Sequence, residues 1–374
     1  MAAIVRHTLG DLVTQQNKTY GANTCVTSNC LISFNHKLPT GIFALDFALD
    51  GGLLLNRAVC FKGLESGGKS SAAMNVAAIA SKICWRCFNL ECTCSEPKML
   101  LQTFWCDVEG TFDYDWAKSI GMEEGTYVVA YGDDGEQCAD MIEAAIRATD
   151  CGLVVIDSLA AMTPSKIVES SAYDQFVGVD PRFISPFVRR IRSRLVREAK
   201  LGHPIALIII NQARYKIGEL YGPSITMPGG QALKHETALW VNFSKRAPTE
   251  TEKKVADDHR NIAKAQRHSF IVEKHKNNIL AGSGEFVRCK ENIIIDGILD
   301  YNKGDIMDHK SVLKYGKEYE VIKPHNQKWT YGNISGAQKD IIEAWKKDRL
   351  LYLKAHKEII DAARTKIKAI PANA

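Results

Sequence analysis

Hydrophobic and polar positions along the middle of the chain follow two patterns, one typical of buried strands and one typical of amphipathic helices. Between residues 39 and 211, short apolar runs are separated by longer amphipathic stretches. The apolar runs predict strands at 58–62, 99–106, 127–131, 153–156 and 205–210. The stretches between them predict helices at 69–83, 113–120, 136–149 and 182–200. Because this alternation needs crossover connections, we predict an α/β fold with a buried, mostly parallel sheet flanked by helices.

The segments on either side follow other patterns. Residues 1–35 are mixed and polar, and a short helix is predicted near 8–16. Further strands are predicted at 238–243, 269–273 and 292–295, and a basic amphipathic helix at 336–368. We therefore expect an N-terminal arm (1–35), an α/β core (36–295) and a small α+β C-terminal domain (296–374).

The composition is that of an ordinary globular protein, since the 374 residues are 45% apolar and 24% charged. No apolar run approaches the roughly 20 residues of a membrane span. The first residues lack the basic and apolar segments of a secretory signal. We expect no membrane partner and a cytoplasmic location. The net charge of +5 is too small to indicate a nucleic-acid partner by itself.

The strongest motif runs from Gly63 to Ser70 and matches G-x-x-x-x-G-K-[ST] between a predicted strand and a predicted helix. In that context the glycines let backbone N–H groups surround phosphates, and the helix N-terminus adds partial positive charge. Lys69 would neutralise the β- and γ-phosphates, and the Ser70 hydroxyl would ligate Mg²⁺. The alternative is a Gly-rich turn that precedes a helix by chance. The motif and its context favour a triphosphate site.

Two predicted strand ends supply carboxylates near this loop. Asp157 follows the apolar run Leu153–Ile156, where it can orient Mg²⁺ through water, although many strands end in Asp. Asp107 and Glu109 follow another strand, where a carboxylate can orient the water that attacks the γ-phosphate. Either could instead cap the helix that begins near Asp113. The residues alone leave both interpretations open.

In chain order, several segments resemble the RecA family. They are 38–52, the phosphate loop with its Glu-Ser pair, 107–116, 155–164, 210–218 and 229–234. The resemblance spans about residues 33 to 345. By its position alone, the N-terminal arm is expected to dock on a neighbouring subunit, whereas the resemblance implies a RecA-type P-loop ATPase core. It also implies that ATP and Mg²⁺ are bound by Gly63, Glu65, Ser66, Gly67, Gly68, Lys69, Ser70, Ser71, Asp113, Trp116 and Asp157.

The same resemblance implies catalytic roles. Glu109 would be the catalytic base, assisted by Lys69. Gln212 would sense the γ-phosphate and transmit its loss to the loop that follows. Lys274 and Lys276 match paired lysines that reach into the neighbouring subunit's ATP site, where they would stabilise transition-state charge. A solvated strand end is the alternative for these two lysines.

Two regions suit contact with DNA. Residues 182–197 hold six arginines and no acid, which fits phosphate contacts on an exposed helix, unless acids elsewhere pair with them. The resemblance places the first DNA loop at about 164–181 and the second at about 213–230. In the second loop, cations can contact phosphate, an aromatic ring can wedge against bases, and glycines allow close approach. We expect DNA contacts from Arg189, Arg194, Arg214, Lys216, Tyr221, Gly229 and Gly230.

The usual RecA pattern lacks a segment with four cysteines within 11 residues, Cys84, Cys87, Cys92 and Cys94. Four thiolates spaced C-x2-C-x4-C-x-C can close a tetrahedral Zn²⁺ site that stabilises a small insertion. Such a closed site would be structural. Free buried or redox-active cysteines are the alternative, and without a signal peptide we do not expect disulfides.

Other departures indicate a diverged or phage-encoded member. His235 stands where the family often has an aromatic residue that couples nucleotide state to the subunit interface. Residues 338–368 hold nine Lys/Arg and five Asp/Glu, so the acidic tail common in bacterial members is missing. Because an acidic tail competes with DNA, we expect less autoinhibition.

Together these features predict a DNA-stimulated ATPase. It would form a helical filament on single-stranded DNA, then pair it with homologous duplex DNA and exchange strands, in the cytoplasm of a bacterial host if phage-encoded. A ring-shaped helicase or translocase is one alternative, but it would be expected to carry an arginine finger. A recombination mediator with a decayed ATP site and a nucleotide-gated regulator that never touches DNA are the others.

Overall fold

The computed structural model describes residues 8–25, 37–90, 92–94, 100–168, 181–215, 225–226, 230–247, 264–276, 279–295, 298–325 and 328–368. Its helices are α1 (Leu9–Tyr20), α2 (Phe43–Ala48), α3 (Lys69–Ala80), α4 (Tyr114–Ile120), α5 (Gly135–Arg147), α6 (Ser165–Val168), α7 (Pro181–Lys200), α8 (Gly230–Glu236), α9 (His309–Glu318), α10 (Gln338–Lys347) and α11 (Arg349–Lys368).

The strands are β1 (Lys37–Leu38), β2 (Leu53–Leu54), β3 (Ala58–Gly63), β4 (Gln102–Asp107), β5 (Tyr127–Ala130), β6 (Cys151–Asp157), β7 (Ala206–Gln212), β8 (Arg214–Tyr215), β9 (Ile225–Thr226), β10 (Leu239–Arg246), β11 (Ala265–His275), β12 (Ser283–Cys289), β13 (Ile293–Ile295), β14 (Ile298–Tyr301), β15 (Lys323–His325), β16 (Lys328–Tyr331) and β17 (Ile334–Gly336).

Eight strands form one central sheet in the order β12-β11-β10-β3-β7-β6-β4-β5. The strands from β10 to β5 in this order run parallel to one another, whereas β11 and β12 are added in antiparallel fashion. Hydrophobic clusters cover both faces of the sheet, and β6 is buried along its whole length. The predicted fold, an α/β core with a mostly parallel sheet flanked by helices, is confirmed.

The parallel arrangement decides where the chemistry lies. Four neighbouring strands end in Gly63, Asp107, Asp157 and Gln212. Gly63 pairs with Gln212, and Asp107 pairs with Asp157, in the registers of adjacent strands. Because carboxyl ends of parallel strands share an edge, these residues come together although they are far apart in sequence.

Within the central sheet the sequence pattern missed one strand, and near the C-terminus it joined two helices. Outside that sheet, the short strands β1, β2, β8, β9 and β14 to β17 were not predicted either. Strand β12 begins with Ser-Gly-Glu and is paired on one side, with β11, in the described sheet, so its apolar alternation is weak. The helix predicted at 336–368 is divided between α10 and α11. The carboxylate of Asp348 accepts hydrogen bonds from the backbone N–H of Leu350 and Leu351, both at 3.0 Å. This cap begins a new helix where the amphipathic pattern alone suggested continuity.

A third hydrophobic cluster joins the C-terminal helices and strands β16 and β17 to Phe43 and Phe47 of α2. Helix α2 thus packs on residues that the sequence assigned to another domain. The boundaries at 35 and 295 stay predictions. Among the described residues, no helix is long and apolar enough to cross a membrane.

Candidate functional site

The phosphate loop is shaped by glycines that could not be replaced without collision. Gly63 has φ +142° and a Cβ there would lie 2.1 Å from the Phe243 carbonyl oxygen. Gly68 has φ +93°, and its Cβ would lie 2.8 Å from Nδ1 of His268. His268 in turn lies against the loop, with Nδ1 2.9 Å from the Gly67 carbonyl oxygen. Strands β10 and β11 therefore hold the loop from outside.

Lys69 begins α3 and its side chain is buried. Its ammonium donates hydrogen bonds to the carbonyl oxygens of Gly63 (3.1 Å) and Leu64 (2.8 Å). Burial lowers its pKa, and the charges of Asp157 and Glu109 oppose that shift. The ammonium is thus held at the loop by weak neutral acceptors, which phosphate oxygens can replace with stronger, charge-assisted bonds.

Ser70 and Asp157 form the corner where a metal ion would bind. The Ser70 hydroxyl and the Asp157 carboxylate are hydrogen-bonded. Burial raises the pKa of Asp157 to about 6, and the neighbouring charges of Glu109 and Asp107 act in the same direction. A hydroxyl and a carboxylate beside a phosphate loop are the oxygen ligands that Mg²⁺ uses together with substrate phosphates.

Glu109 lies between β6 and β7. Its Oε1 accepts a hydrogen bond from Nε2 of Gln212 at 2.7 Å and another from the Ser158 hydroxyl. Asp107 has a different role, since its carboxylate accepts from the backbone N–H of Thr111 (3.2 Å) and Phe112 (2.9 Å). The structure therefore brings Glu109, not Asp107, into contact with Gln212. Sequence reasoning did not assign a role to Ser158.

A cavity of about 310 Å³ opens beside the phosphate loop. Ser66, Gly68, Lys69, Ser70 and Ser71 line one side. The opposite wall was missed by sequence reasoning and consists of polar or cationic side chains from β10, β11 and the end of β12: Lys245, Gln266, His268, Arg288 and Lys290. A cationic wall favours a ligand with several negative charges.

Arg288 is the most deeply buried member of this wall. Its guanidinium contacts Oδ1 of Asn75 on α3 (3.4 and 3.5 Å) and the Ser71 carbonyl oxygen (3.4 Å), and it donates to the Gly304 carbonyl oxygen at 2.8 Å. No local sequence signal identifies Arg288, because it reaches the cavity only through the pairing of β12 with β11.

Trp116 also lines the cavity, and its indole Nε1 donates to the Ser71 hydroxyl at 2.9 Å. Asp113 is exposed and caps α4, since its carboxylate accepts from the Trp116 backbone N–H at 2.8 Å. The helix-capping interpretation raised for Asp107 and Glu109 thus applies to Asp113 itself. Its predicted contact with adenine stays a prediction.

Lys274 and Lys276 lie at the end of β11, and their side chains contact the carboxyl end of helix α8. The Lys274 ammonium donates to the carbonyl oxygens of Lys234 and Thr237 (2.6 Å to the latter), and Lys276 contacts the His235 carbonyl oxygen at 3.4 Å. Burial lowers the pKa of Lys274, and the charge of Lys276 adds to this. The end of β11 is thus connected to the helix that follows the second predicted DNA loop.

The arginine-rich helix is confirmed as α7, and acids elsewhere pair with part of it. Glu143 of α5, which is buried, contacts Arg190 (2.6 Å to Nε) and Arg194 (3.3 Å to Nε). Arg192 bonds Glu236 of α8 at 2.7 Å. Arg189 is exposed and has no ion pair with a described residue. The DNA contacts predicted for Arg189 and Arg194 stay predictions.

The second predicted DNA loop is described only in part. Lys216, Tyr221 and Gly229 lie outside the described residues. The backbone of Arg214 pairs with Thr226 in the short hairpin of β8 and β9, and Gly230 begins α8. The hairpin follows Gln212 directly, so a displacement of the Gln212 backbone would be passed to the loop.

The four cysteines come together although the insertion has little regular structure. One sulfur atom from each of Cys84, Cys87, Cys92 and Cys94 lies within 4.8 Å of the others. Burial disfavours the Cys84 thiolate, but backbone N–H donors of Cys87 and Arg86 outweigh it and lower its pKa to about 6. Four convergent sulfurs, one already inclined to ionise, fit the tetrahedral thiolate set of a structural zinc site.

Comparison with known proteins agrees with this geometry. The family model described as the RecA N-terminal domain matches residues 7–283. "Protein RecA" of Wolbachia pipientis subsp. Culex pipiens is 29% identical over 333 residues, covering 88% of this chain and 80% of that protein. "Protein RecA" of Ehrlichia ruminantium is 26% identical over 369 residues, covering 96% and 88%. With a family match over most of the chain, and a phosphate loop, paired strand-end carboxylates and a strand-end glutamine on one sheet edge, the chain belongs to the RecA family.

Proposed function

We propose that the protein is an ATP-dependent DNA recombinase. It assembles as a filament on single-stranded DNA, pairs that strand with homologous duplex DNA and exchanges strands, and it hydrolyses ATP faster when DNA is bound. The observation that carries this proposal is the 2.7 Å hydrogen bond between Gln212 and Glu109. It connects Glu109, which we propose activates water, directly to the strand that leads into the second predicted DNA loop.

The nucleotide site supports ATP and Mg²⁺ as cofactors. Backbone N–H groups of the phosphate loop and the Lys69 ammonium would bind the phosphates. Ser70 and Asp157 would hold Mg²⁺, which neutralises phosphate charge when bound. Glu109 would accept a proton from the attacking water, while Gln212 would exchange its bond to Glu109 for one to the γ-phosphate. DNA bound at residues 213–230 would bias Gln212 toward one of these two partners.

Several features support assembly through neighbouring copies. Helix α1 has no buried residue, and Leu9 is 80% exposed. At the far edge of the sheet, Val128 of β5 is 60% exposed. Lys274 and Lys276 occupy the end of α8 and do not line the cavity beside their own phosphate loop. We propose that they complete the ATP site of the next copy, which explains why hydrolysis would depend on DNA-driven assembly.

The four-cysteine insertion would hold one structural Zn²⁺. The close approach of the four sulfurs supports this, and no catalytic step depends on it. The ion would restrain a segment whose described residues, 84–90 and 92–94, belong to no helix or strand.

The experiment that tests the function measures ATP hydrolysis with and without single-stranded DNA. The wild type is compared with Lys69→Ala and with the double variant Lys274→Ala/Lys276→Ala, and pairing of a labelled homologous duplex is followed in parallel. We expect DNA to stimulate the wild type, both variants to lose that stimulation, and the Lys274/Lys276 variant to retain nucleotide binding. Equal turnover without DNA would contradict the proposal and favour a nucleotide-gated regulator.

Two other results would identify other functions. DNA binding with no ATP turnover would indicate a mediator. DNA-stimulated turnover that unwinds duplexes without any homologous pairing would indicate a helicase or translocase. The hydrogen bond between Glu109 and Gln212 and the buried Lys69 at the phosphate loop argue against a decayed ATP site, and so against the mediator.

A further inference from the structure

A cleft of about 480 Å³ lies between the four-cysteine insertion and the arginine-rich helix. Trp85 lines it from the insertion, Arg147 from the end of α5, Arg194 and Arg197 from α7, and His203 from the turn that precedes β7. Cys84 is bridged to Leu100, just before β4. These segments precede the amino ends of β4, β6 and β7, so the cleft lies at the sheet edge opposite the phosphate loop.

The cleft carries more positive charge than its acids can balance. Arg147 and Arg197 are exposed and form no ion pair with a described residue. The acid that lines the cleft, Glu198, is buried and lies 3.1 Å from Nδ1 of His203. Glu143 is shared between Arg190 and Arg194. The exposed guanidinium groups are therefore available to a ligand that brings negative charge from outside.

The positive surface continues along α7. A second cavity, of about 470 Å³, shares Arg194 and Arg197 with the cleft and adds Arg189 and Arg190. Arg189 and Arg197 are eight positions apart, which is about 12 Å along a helix. One strand of DNA advances about 3.4 Å per phosphate, so this row can meet roughly three successive phosphates. A row of guanidinium groups on one helix matches an extended polyanion better than a compact one.

Trp85 adds an aromatic surface at the end of this row. It lies between Cys84 and Cys87 and is half-buried. Its indole Nε1 is buried and has no hydrogen-bond partner among the described residues, and the Arg86 guanidinium carbon lies 5.9 Å from the centroid of the ring. Bases stack on such rings in grooves that also track the phosphate backbone, and this combination accepts single strands of any sequence. An unstacked base at the end of the arginine row is therefore the group that fits Trp85.

We propose that this cleft binds one strand of nucleic acid at the edge opposite the ATP site, without needing a nucleotide. Arg147, Arg194 and Arg197 contact its phosphates, and Trp85 stacks against a base. The four cysteines, joined by a metal ion, fix Trp85 in place. The insertion is then a binding element, and this site is separate from the contacts proposed for residues 213–230.

The test is fluorescence anisotropy of a labelled oligothymidine strand with the full-length protein and no nucleotide. Arg147→Ala/Arg197→Ala should weaken binding about tenfold and lower the salt slope by about 1.4, which is two phosphate contacts on a single strand. Lys310→Ala/Lys354→Ala, which removes two exposed cations from the C-terminal region, should leave both values unchanged. Trp85→Ala should weaken binding several-fold, and Trp85→Phe should restore most of it.

Loss of the metal provides an independent check. Incubation with a zinc chelator should release one equivalent of Zn²⁺ and weaken strand binding by about as much as Trp85→Ala, with no further loss in the Trp85→Ala variant. An unchanged binding curve for the arginine double variant would overturn the proposal, as would equal losses in the lysine control. The proposal would also be overturned if the arginine substitutions weakened the binding of an acidic peptide but not the binding of DNA. DNA-stimulated ATP hydrolysis and pairing of a homologous duplex are measured separately, so failure of this site is distinguishable from failure of the proposed recombinase.

Discussion

Glu109 illustrates how single residues determine activity here. Two donors, the Gln212 amide and the Ser158 hydroxyl, hold its carboxylate in one orientation. The amide of a glutamine at this position could keep similar contacts but could not take a proton.

Glu109→Gln should therefore lower DNA-stimulated ATP turnover by about 10²- to 10⁴-fold, the usual contribution of a positioned base. The Kd for nucleotide should stay within a few-fold of wild type, because the phosphate loop is unchanged. Steady-state hydrolysis and fluorescent-nucleotide titration measure the two quantities. Asp115→Asn, an exposed carboxylate on α4, is the matched control. Turnover within threefold of wild type would remove Glu109 from the mechanism.

Asp308 is a second residue whose environment matters, because it makes the stability of the fold depend on pH. It is buried, accepts a hydrogen bond from the Phe43 backbone N–H at 3.2 Å, and also accepts from the Tyr352 hydroxyl. Burial raises its pKa from the usual 3.8 to about 6. The folded chain thus keeps the proton to higher pH than the unfolded chain, so stability is lost as the pH rises between these values.

Asp308→Asn should flatten this pH dependence. At pH 4.5 we expect the variant to be about 1–2 kcal/mol less stable than wild type, because the NH2 of its side-chain amide replaces an oxygen that accepts a hydrogen bond and so faces a donor. The deficit should shrink toward pH 7.5, where the wild type has an ionised buried carboxylate. Urea unfolding at both pH values measures the change. The free energy of unfolding of the variant should still fall somewhat as the pH rises, since burial also raises the pKa of Asp46 to about 7. A deficit that grows with pH would contradict a raised pKa for Asp308 in the folded chain.

At the scale of elements, the boundary between α10 and α11 depends on Asp348. Asp348→Ala removes the acceptor of two backbone N–H groups and should lower the free energy of unfolding by about 1 kcal/mol. Asp348→Asn, which keeps an oxygen at the same place, should lose only a few tenths. Denaturant unfolding of the full chain measures both. Equal losses in the two variants would show that the cap is not the stabilising contact.

Strands whose burial is complete could be predicted from the sequence. β6 and β7 are apolar along their length and were located within a few residues, because a buried parallel strand shows as a continuous apolar run. β12 was missed because its antiparallel pairing tolerates Ser, Gly and Glu at its start. Helix α9 was not predicted, although its segment is amphipathic and Val312 and Leu313 pack in the third cluster.

The candidate site divides in the same way. The phosphate loop was predictable because its glycines and lysine are consecutive. The cationic wall of Lys245, Arg288 and Lys290 was not, since these residues reach the cavity only through the pairing order of β10, β11 and β12. The contact between Gln212 and Glu109 is likewise tertiary, joining residues 103 positions apart.

For the whole molecule, exposed apolar side chains lie at two places, the outer edge of β5 and helix α1. The sheet finishes at β5, whose outer edge is not paired with a described strand. Tyr131, next to it, is 55% exposed. The arm helix α1 presents apolar side chains and buries none of them. An unpaired edge with exposed apolar residues tends to bind another chain. Since a filament needs one surface of each kind per subunit, a second copy's arm is the partner we propose for this edge.

Val128→Glu should therefore block assembly while leaving the ATP site intact. A carboxylate at this exposed strand position opposes burial against a neighbour but costs the isolated chain little. With ATP, Mg²⁺ and single-stranded DNA, we expect wild type to sediment as large assemblies and the variant mainly as small species. Its nucleotide Kd should be unchanged and its DNA-stimulated turnover lost. Ile294→Glu, at a strand position that is 58% exposed on β13, is the matched control and should assemble normally. If Val128→Glu assembles like wild type, β5 is not the docking edge, and if Ile294→Glu also fails to assemble, added negative charge alone prevents assembly.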